Sequence, residues 1–138
     1  MTETTFAPTV LLYGLRGLER RALLCQWLTR AGIQAKEVQP GQYQQPLGAL
    51  LALPGFEPLP GQHPGLPFGE EMLVMFGFRG SMLNDLLRFF PETGLPPVRL
   101  KAMATPTNIH WNSLQLYEAL RAERAQLQTL AQKERGST

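Results

Sequence analysis

Two short glycine-arginine turns, each placed directly after an apolar run, constrain this chain more than any other feature. Val10-Leu-Leu-Tyr-Gly-Leu-Arg-Gly17 and Leu73-Val-Met-Phe-Gly-Phe-Arg-Gly80 share one shape, with Gly14, Arg16 and Gly17 matching Gly77, Arg79 and Gly80 at an offset of 63. A helical pattern follows each, then Ala31-Gly32 or Thr93-Gly94, then a second strand-like run. The chain therefore reads as a β-α-β unit used twice, in halves at about 9–38 and 72–103. Duplication and independent arrival at a common strand-turn-helix shape both fit.

Periodicity assigns the strands. Thr9–Tyr13 and Met72–Phe76 are continuous apolar runs, as expected of strands buried on both faces. Ile33–Val38 and Val98–Met103 alternate, with Gln34 and Lys36 or Arg99 and Lys101 on the polar side, which suits sheet edges. The first helix is expected from about Leu18 to Ala31, stopped by Gly32. In the second, Leu83, Leu86, Leu87 and Phe90 form one stripe, Ser81 is an N-cap candidate, and Pro91 discourages extension past Phe90. Asn112 and Gln115 have capping-box spacing ahead of a long C-terminal helix over about 113–135. Glu123 interrupts its stripe of Leu116, Ala119, Leu120 and Leu127, so the first half should pack and the second project, self-associate or fray.

Between the units, Tyr43–Leu53 suits a short helix, and 54–69 holds five Pro and four Gly, the composition of an irregular loop. It reads better as a plain connection than as a lid, since His63 is almost its only chemistry. The expected fold is a single α/β domain over 1–138. Its four-stranded sheet has order 2-1-3-4, mostly parallel, with helices on both faces. A ferredoxin-like α+β arrangement, with the second and third strands as a hairpin, is the alternative. The two differ where it matters for function: a parallel sheet puts both glycine-arginine turns at one edge, a ferredoxin-like sheet at opposite edges.

Composition narrows the chemistry. In 138 residues there are two histidines, one cysteine and one aspartate, Asp85, so no Cys/His metal cluster or disulfide framework is available. A net charge of +2 is too small to point to nucleic acid, and no apolar stretch reaches membrane-spanning length. With no targeting segment visible and a lone Cys25, the expectation is a soluble cytoplasmic protein. Cys25, beside Leu24 and Leu28, reads as a small buried hydrophobe, and His110 as a surface or capping residue.

Two constellations remain. The glycine turns expose backbone N–H groups near a helix start, and Arg16 and Arg79 add charge suited to phosphate or carboxylate. The spacing is neither a dinucleotide fingerprint nor a P-loop, and tight turns with solvated arginines are the plainer explanation. The second is Lys101-Ala-Met-Ala-Thr105-Pro-Thr107-Asn108-Ile-His-Trp111, where a polar turn closes a strand and offers Thr105, Thr107 and Asn108 as hydrogen-bonding groups with Trp111 as a stacking face. Its bland explanation is a braced proline turn, a snorkelling Lys101 and a Trp111 that closes the core.

This run, Lys-Ala-x-x-Thr-Pro-Thr-Asn-x-x-Trp followed by a Leu- and Glu-bearing helix, resembles an uncharacterised prokaryotic family known only as a domain of unknown function. The resemblance is clearest from Met72 to about Glu123, and Leu47-Gly48-Ala-Leu-Leu51 is similar to that family's middle segment. It implies no activity, cofactor or catalytic residue. The leading reading is thus a non-catalytic module binding an anionic small molecule or a partner, with a homodimer as the expected assembly. Its candidate ligand residues are Arg16, Arg79, Lys101, Thr105, Thr107, Asn108 and Trp111. An enzyme acting on a phosphorylated or carboxylated small molecule, with Lys101 and His110 as titrating groups, is the second reading. A ferredoxin-like RNA-binding domain is the third. No cofactor, metal or catalytic residue is assigned.

Overall fold

In the computed structural model, residues 7–60 and 65–136 are described, with side chains as far as 127, so His63 lies outside the described residues. Two β-α-β units form one open four-stranded sheet. The first is β1 (Thr9–Tyr13), α1 (Leu18–Arg30) and β2 (Gln34–Glu37); the second is β3 (Met72–Phe76), α3 (Met82–Thr93) and β4 (Leu100–Met103). Between them lie a 3-10 turn at Pro40–Gln42 and the short α2 (Leu47–Leu50). A further 3-10 turn at Asn108–His110 leads into α4 (Ser113–Gly136).

The strand order is β2-β1-β3-β4, with the continuously apolar strands central and the alternating ones at the edges. Strands covered on both faces must be apolar throughout, whereas an edge strand can turn one side to water. β1 pairs β2 in parallel, and β3 pairs β4 in parallel. The central pair runs antiparallel, with Leu11 opposite Val74 and Tyr13 opposite Met72. The two glycine-arginine turns therefore lie at opposite edges of the sheet, not at the shared edge an all-parallel sheet would give. The reason is the linker. A four-residue α2 rises only ~6 Å, about a third of a strand's length, so it does not carry the chain back along the sheet. β3 starts at the edge where β2 ends. The sheet is thus mostly parallel in the expected order 2-1-3-4, and the ferredoxin-like alternative fails, because β1 separates β2 from β3.

Alternation along the central strands builds two cores. Leu11, Tyr13, Met72 and Val74 face α2 and the first turns of α4, packing with Leu47, Leu116 and Tyr117. Val10, Leu12, Leu73 and Met75 face α1 and α3, packing with Leu24, Leu28, Leu86, Phe89 and Phe90. Each such side chain contributes about 1.5–3 kcal/mol when fully buried, so both faces are covered by necessity.

The long connection is packed down at three points. Gln45 exchanges hydrogen bonds with the Leu59 backbone, at 2.6 and 3.2 Å. The Phe56 ring lies against Gly48, where a Cβ would sit 2.5 Å from it. Phe68 stacks between Tyr43, at 4.1 Å, and Tyr117, at 3.9 Å.

The helix ends depart from expectation in two places. α3 continues through Pro91 to Thr93, because a proline in the last turn removes one N–H without blocking the residues that follow. It stops at Gly94, whose φ of 71° is left-handed, and Leu95 N–H closes onto Phe90 O at 3.0 Å. Ser81 stands at the N-cap but turns its hydroxyl to Asp85 Oδ2, at 2.9 Å. At α4 the capping box forms, with Asn112 N–H donating to Gln115 Oε1 and Gln115 N–H to Asn112 Oδ1, both at 2.9 Å. Leu116 is buried near the start of α4, while Leu127 is 66% exposed, so the helix leaves the sheet as it proceeds.

Candidate functional site

The first turn is occupied by the chain itself. Gly14 (φ 63°) and Gly17 (φ 84°) swing the backbone from β1 into α1 and aim the Arg16 N–H at Glu71, whose Oε2 accepts it at 2.6 Å. The same oxygen accepts Arg20 Nη1 at 2.5 Å. Arg20 is 8% exposed; its Nε donates to Pro96 O at 2.9 Å, Nη1 also reaches Arg16 O at 3.4 Å, and the guanidinium lies 6.0 Å from the Phe90 ring centre. Its Nη2 is buried without a hydrogen-bond partner among the described residues. A turn suited to an outside anion has thus been given an inside one.

Beside this lock is a hollow of about 290 Å³, with Arg16 and Arg99 around Gly69, Glu70, Glu71 and the Pro96-Pro97 step. Glu70 is committed elsewhere: Arg124 grips both its oxygens, at 2.5 and 2.7 Å, and Arg121 Nε stands 3.7 Å away. The Arg124 hydrogen bonds, aided by the charges of Arg124, Arg121 and Arg99, hold the Glu70 carboxyl below the usual carboxylate range. Arg16 Nη2 donates to Gly69 O at 3.2 Å. Neither Arg16 nor Arg99 forms an ion pair with a carboxylate among the described residues.

The opposite edge holds Arg79 with the turn after β4. Arg79 N–H points to Met82 Sδ at 3.5 Å, and its side chain is exposed. Asp85, held low by Arg88 and then by Ser81, supplies local negative charge to the first turn of α3. Thr105 and Asn108 brace each other. Thr105 N–H donates to Asn108 Oδ1 at 2.8 Å, Asn108 N–H donates to Thr105 Oγ1 at 3.0 Å, and Asn108 Nδ2 reaches Met103 O at 3.0 Å. Thr107 is exposed.

Lys101 and Trp111 lie on different faces of the sheet. Lys101 pairs with Leu73 in register, which puts it on the α1/α3 side, and its Nζ bonds the Val98 carbonyl; partial burial lowers its pKa. Trp111 packs on the other core, and its carbonyl accepts Leu47 N–H at 2.8 Å. His110 rests 5.1 Å from the Phe56 ring. The seven candidates therefore do not converge: Arg16 stands at one edge, and Arg79, Thr105, Thr107 and Asn108 at the other. Sequence reasoning missed Arg20, Glu70, Glu71 and Arg99. The available signal was an acidic pair set immediately before a fully apolar strand, where a carboxylate needs a partner. Among the described residues, no group of three or more His, Cys, Asp or Glu could hold a metal ion, and no helix is long and apolar enough to cross a membrane.

A family model described as a domain of unknown function (DUF3783) matches residues 71–127. That stretch starts at Glu71 and takes in β3, α3, β4 and the first part of α4, so over the second unit the chain is similar to an uncharacterised domain family. No curated protein and no solved structure matches the chain.

Proposed function

We propose that the protein is a non-catalytic binding module that takes an anionic group in the hollow between Arg16 and Arg99. The observation that carries this reading is one of matching. The carboxylates that share the lining of the hollow, Glu70 and Glu71, are taken by Arg124 and Arg20, while Arg16 and Arg99 form no ion pair among the described residues. Guanidinium groups bind carboxylate and phosphate oxygens in two-pronged fashion, and two of them on one hollow favour a phosphate monoester or a dicarboxylate. Catalysis would need a second titratable group to converge on Lys101, whose amine is instead held by the Val98 carbonyl. An RNA platform would need aromatic residues open on the sheet, whereas Tyr13 is fully buried and both sheet faces are covered. The unpaired Cys25 agrees with a cytoplasmic setting.

A thermal-shift series tests the reading, using phosphate monoesters and dicarboxylates against the wild type, an Arg16→Ala/Arg99→Ala variant and a Lys101→Ala variant. A ligand at 100 times its Kd adds about 2.7 kcal/mol, which is several degrees for a domain of this size. The shift is expected in the wild type and in Lys101→Ala, and lost in the double variant. A shift that survives the double variant, or no shift with any anion, removes the site.

A further inference from the structure

We infer that the protein has a second, separate site, between α1 and α3, which takes a small zwitterion: a free α-amino acid with an apolar side chain. On α1, Leu23, Gln26, Trp27 and Arg30 fall at i, i+3, i+4 and i+7, and so form one stripe. The stripe faces Phe89, Glu92 and Thr93 of α3 across a hollow of about 220 Å³. Sites for drug-sized ligands span roughly 300–1,000 Å³, so this one suits a small metabolite. The 13 residues of α1 set it about 20 Å from the Arg16 turn, at the other end of the helix.

The two charges on its walls set the chemistry of the occupant. Arg30 closes α1, and Glu92 stands in the last turn of α3. Neither forms an ion pair among the described residues, so the gap between them is wider than an ion-pair contact. Glu92 is also ill placed for its own helix. The end of α3 already carries partial negative charge, and its last turn holds no basic residue to offset it. An ammonium group seated there supplies the missing cation, and Arg30 is left to hold a carboxylate. A simple anion would meet Glu92, and a simple cation Arg30, so the pair selects a ligand that carries both charges. The Thr93 hydroxyl is spent on Phe89 O and Phe90 O, at 2.7 and 3.2 Å, which leaves the Gln26 amide as the further polar group. Between the charges the wall is apolar. Leu23 is 37% exposed, and the half-buried Trp27 ring lies 5.8 Å from the buried Phe89 ring, tilted 50° to it. An aliphatic or aromatic side chain covers that surface; glycine would leave it wet.

Nuclear magnetic resonance titration of the full chain, which reads weak binding as well as strong, decides the matter. The probes are L-leucine and L-phenylalanine, glycine, and the counterparts of the first two that lack the carboxylate or the ammonium, such as isoamylamine and isocaproate for leucine. Leucine or phenylalanine is expected to bind and to move the Trp27 indole resonance. Glycine and each one-charge counterpart are expected to bind at least about tenfold more weakly, the effect of one charge-assisted hydrogen bond. Arg30→Ala should weaken the amino acid about tenfold and leave the amine counterpart unchanged; Glu92→Ala should weaken it likewise and leave the acid counterpart unchanged. Both side chains are exposed, so these variants spare the core. The site is overturned if neither amino acid moves the resonances, or if an amino acid and its acid counterpart bind equally. It also falls if binding is lost in Arg16→Ala/Arg99→Ala, which would put the ligand in the other hollow. A wild-type dimer that Glu92→Ala splits in sedimentation would give the hollow to a second copy of the chain and overturn the amino acid as well.

Discussion

The two glycine-arginine turns begin alike and end in different surroundings. Both follow a buried strand and open a helix, and both need left-handed glycines, with Gly17 at φ 84° and Gly80 at φ 58°. The first meets Glu71. Continued by one residue past Tyr13 and Met72, the β1–β3 register sets Gly14 opposite Glu71; continued past the other end, it sets Gly77 opposite Pro8. One turn therefore faces a carboxylate and the other a proline. Four residues after Arg16 stands the buried Arg20, while four after Arg79 stands Leu83, packed into the core. The contrast teaches that a turn's receptiveness to anions is decided by what the opposite strand brings to it.

The largest effect should come from breaking the lock at the first turn. Glu71→Ala leaves Arg20 buried without its carboxylate and is expected to cost about 3 kcal/mol in urea unfolding, because breaking one half of a buried ion pair strands the other. Arg20→Leu combined with Glu71→Leu gives the first turn the apolar surroundings of the second, and should cost less than Glu71→Ala alone. A double variant as unstable as the single would mean that the pair's charges are not what stabilises this corner.

Smaller is the backbone effect, which should be the same at both turns. Gly17→Ala and Gly80→Ala are each expected to lose about 1 kcal/mol, since no close contact opposes the added Cβ and only the left-handed conformation does. A Gly80→Ala variant with unchanged stability would show the second turn free to relax where the first is pinned.

The smallest effect is confined to acid. Glu70 has its pKa depressed in the fold, chiefly by Arg124, so the stabilisation it brings is present above its ordinary value of 4.5 and is lost as pH falls through the folded value. Melting curves of the wild type and Glu70→Gln should therefore differ at neutral pH and draw together as pH falls below 4.5 and through the depressed folded value. Curves that stay apart at the lowest pH would locate the effect outside this carboxylate.

Much of the fold was legible in the residues. The bounds of β1 and β3, the central placing of the apolar strands and the Asn112–Gln115 box all follow from local pattern. The antiparallel centre does not, because periodicity reports which faces are buried and is blind to the direction in which a strand runs. Proline arithmetic also misled at Pro91, where only the last turn of α3 was at stake. Of the site, Arg16 was visible from its turn. Glu71 and Arg20 are 51 residues apart, and nothing local joins them; the pairing exists only once β3 lies beside β1. Thr105 and Asn108 were legible as a turn, and their mutual hydrogen bonds spend the groups a ligand would have used.

The seam between β1 and β3 carries a last consequence. Leu11 meets Val74 at its middle and each unit brings its own parallel partner strand, so the seam has the antiparallel layout by which two separate subunits can associate about a dyad. Here both units belong to one polypeptide, and the connection serves as a tether whose closure entropy rises only with the logarithm of its length. Residues added at the exposed Glu57–Pro58 step, between the Phe56 and Leu59 anchors, would lengthen the tether without entering the seam.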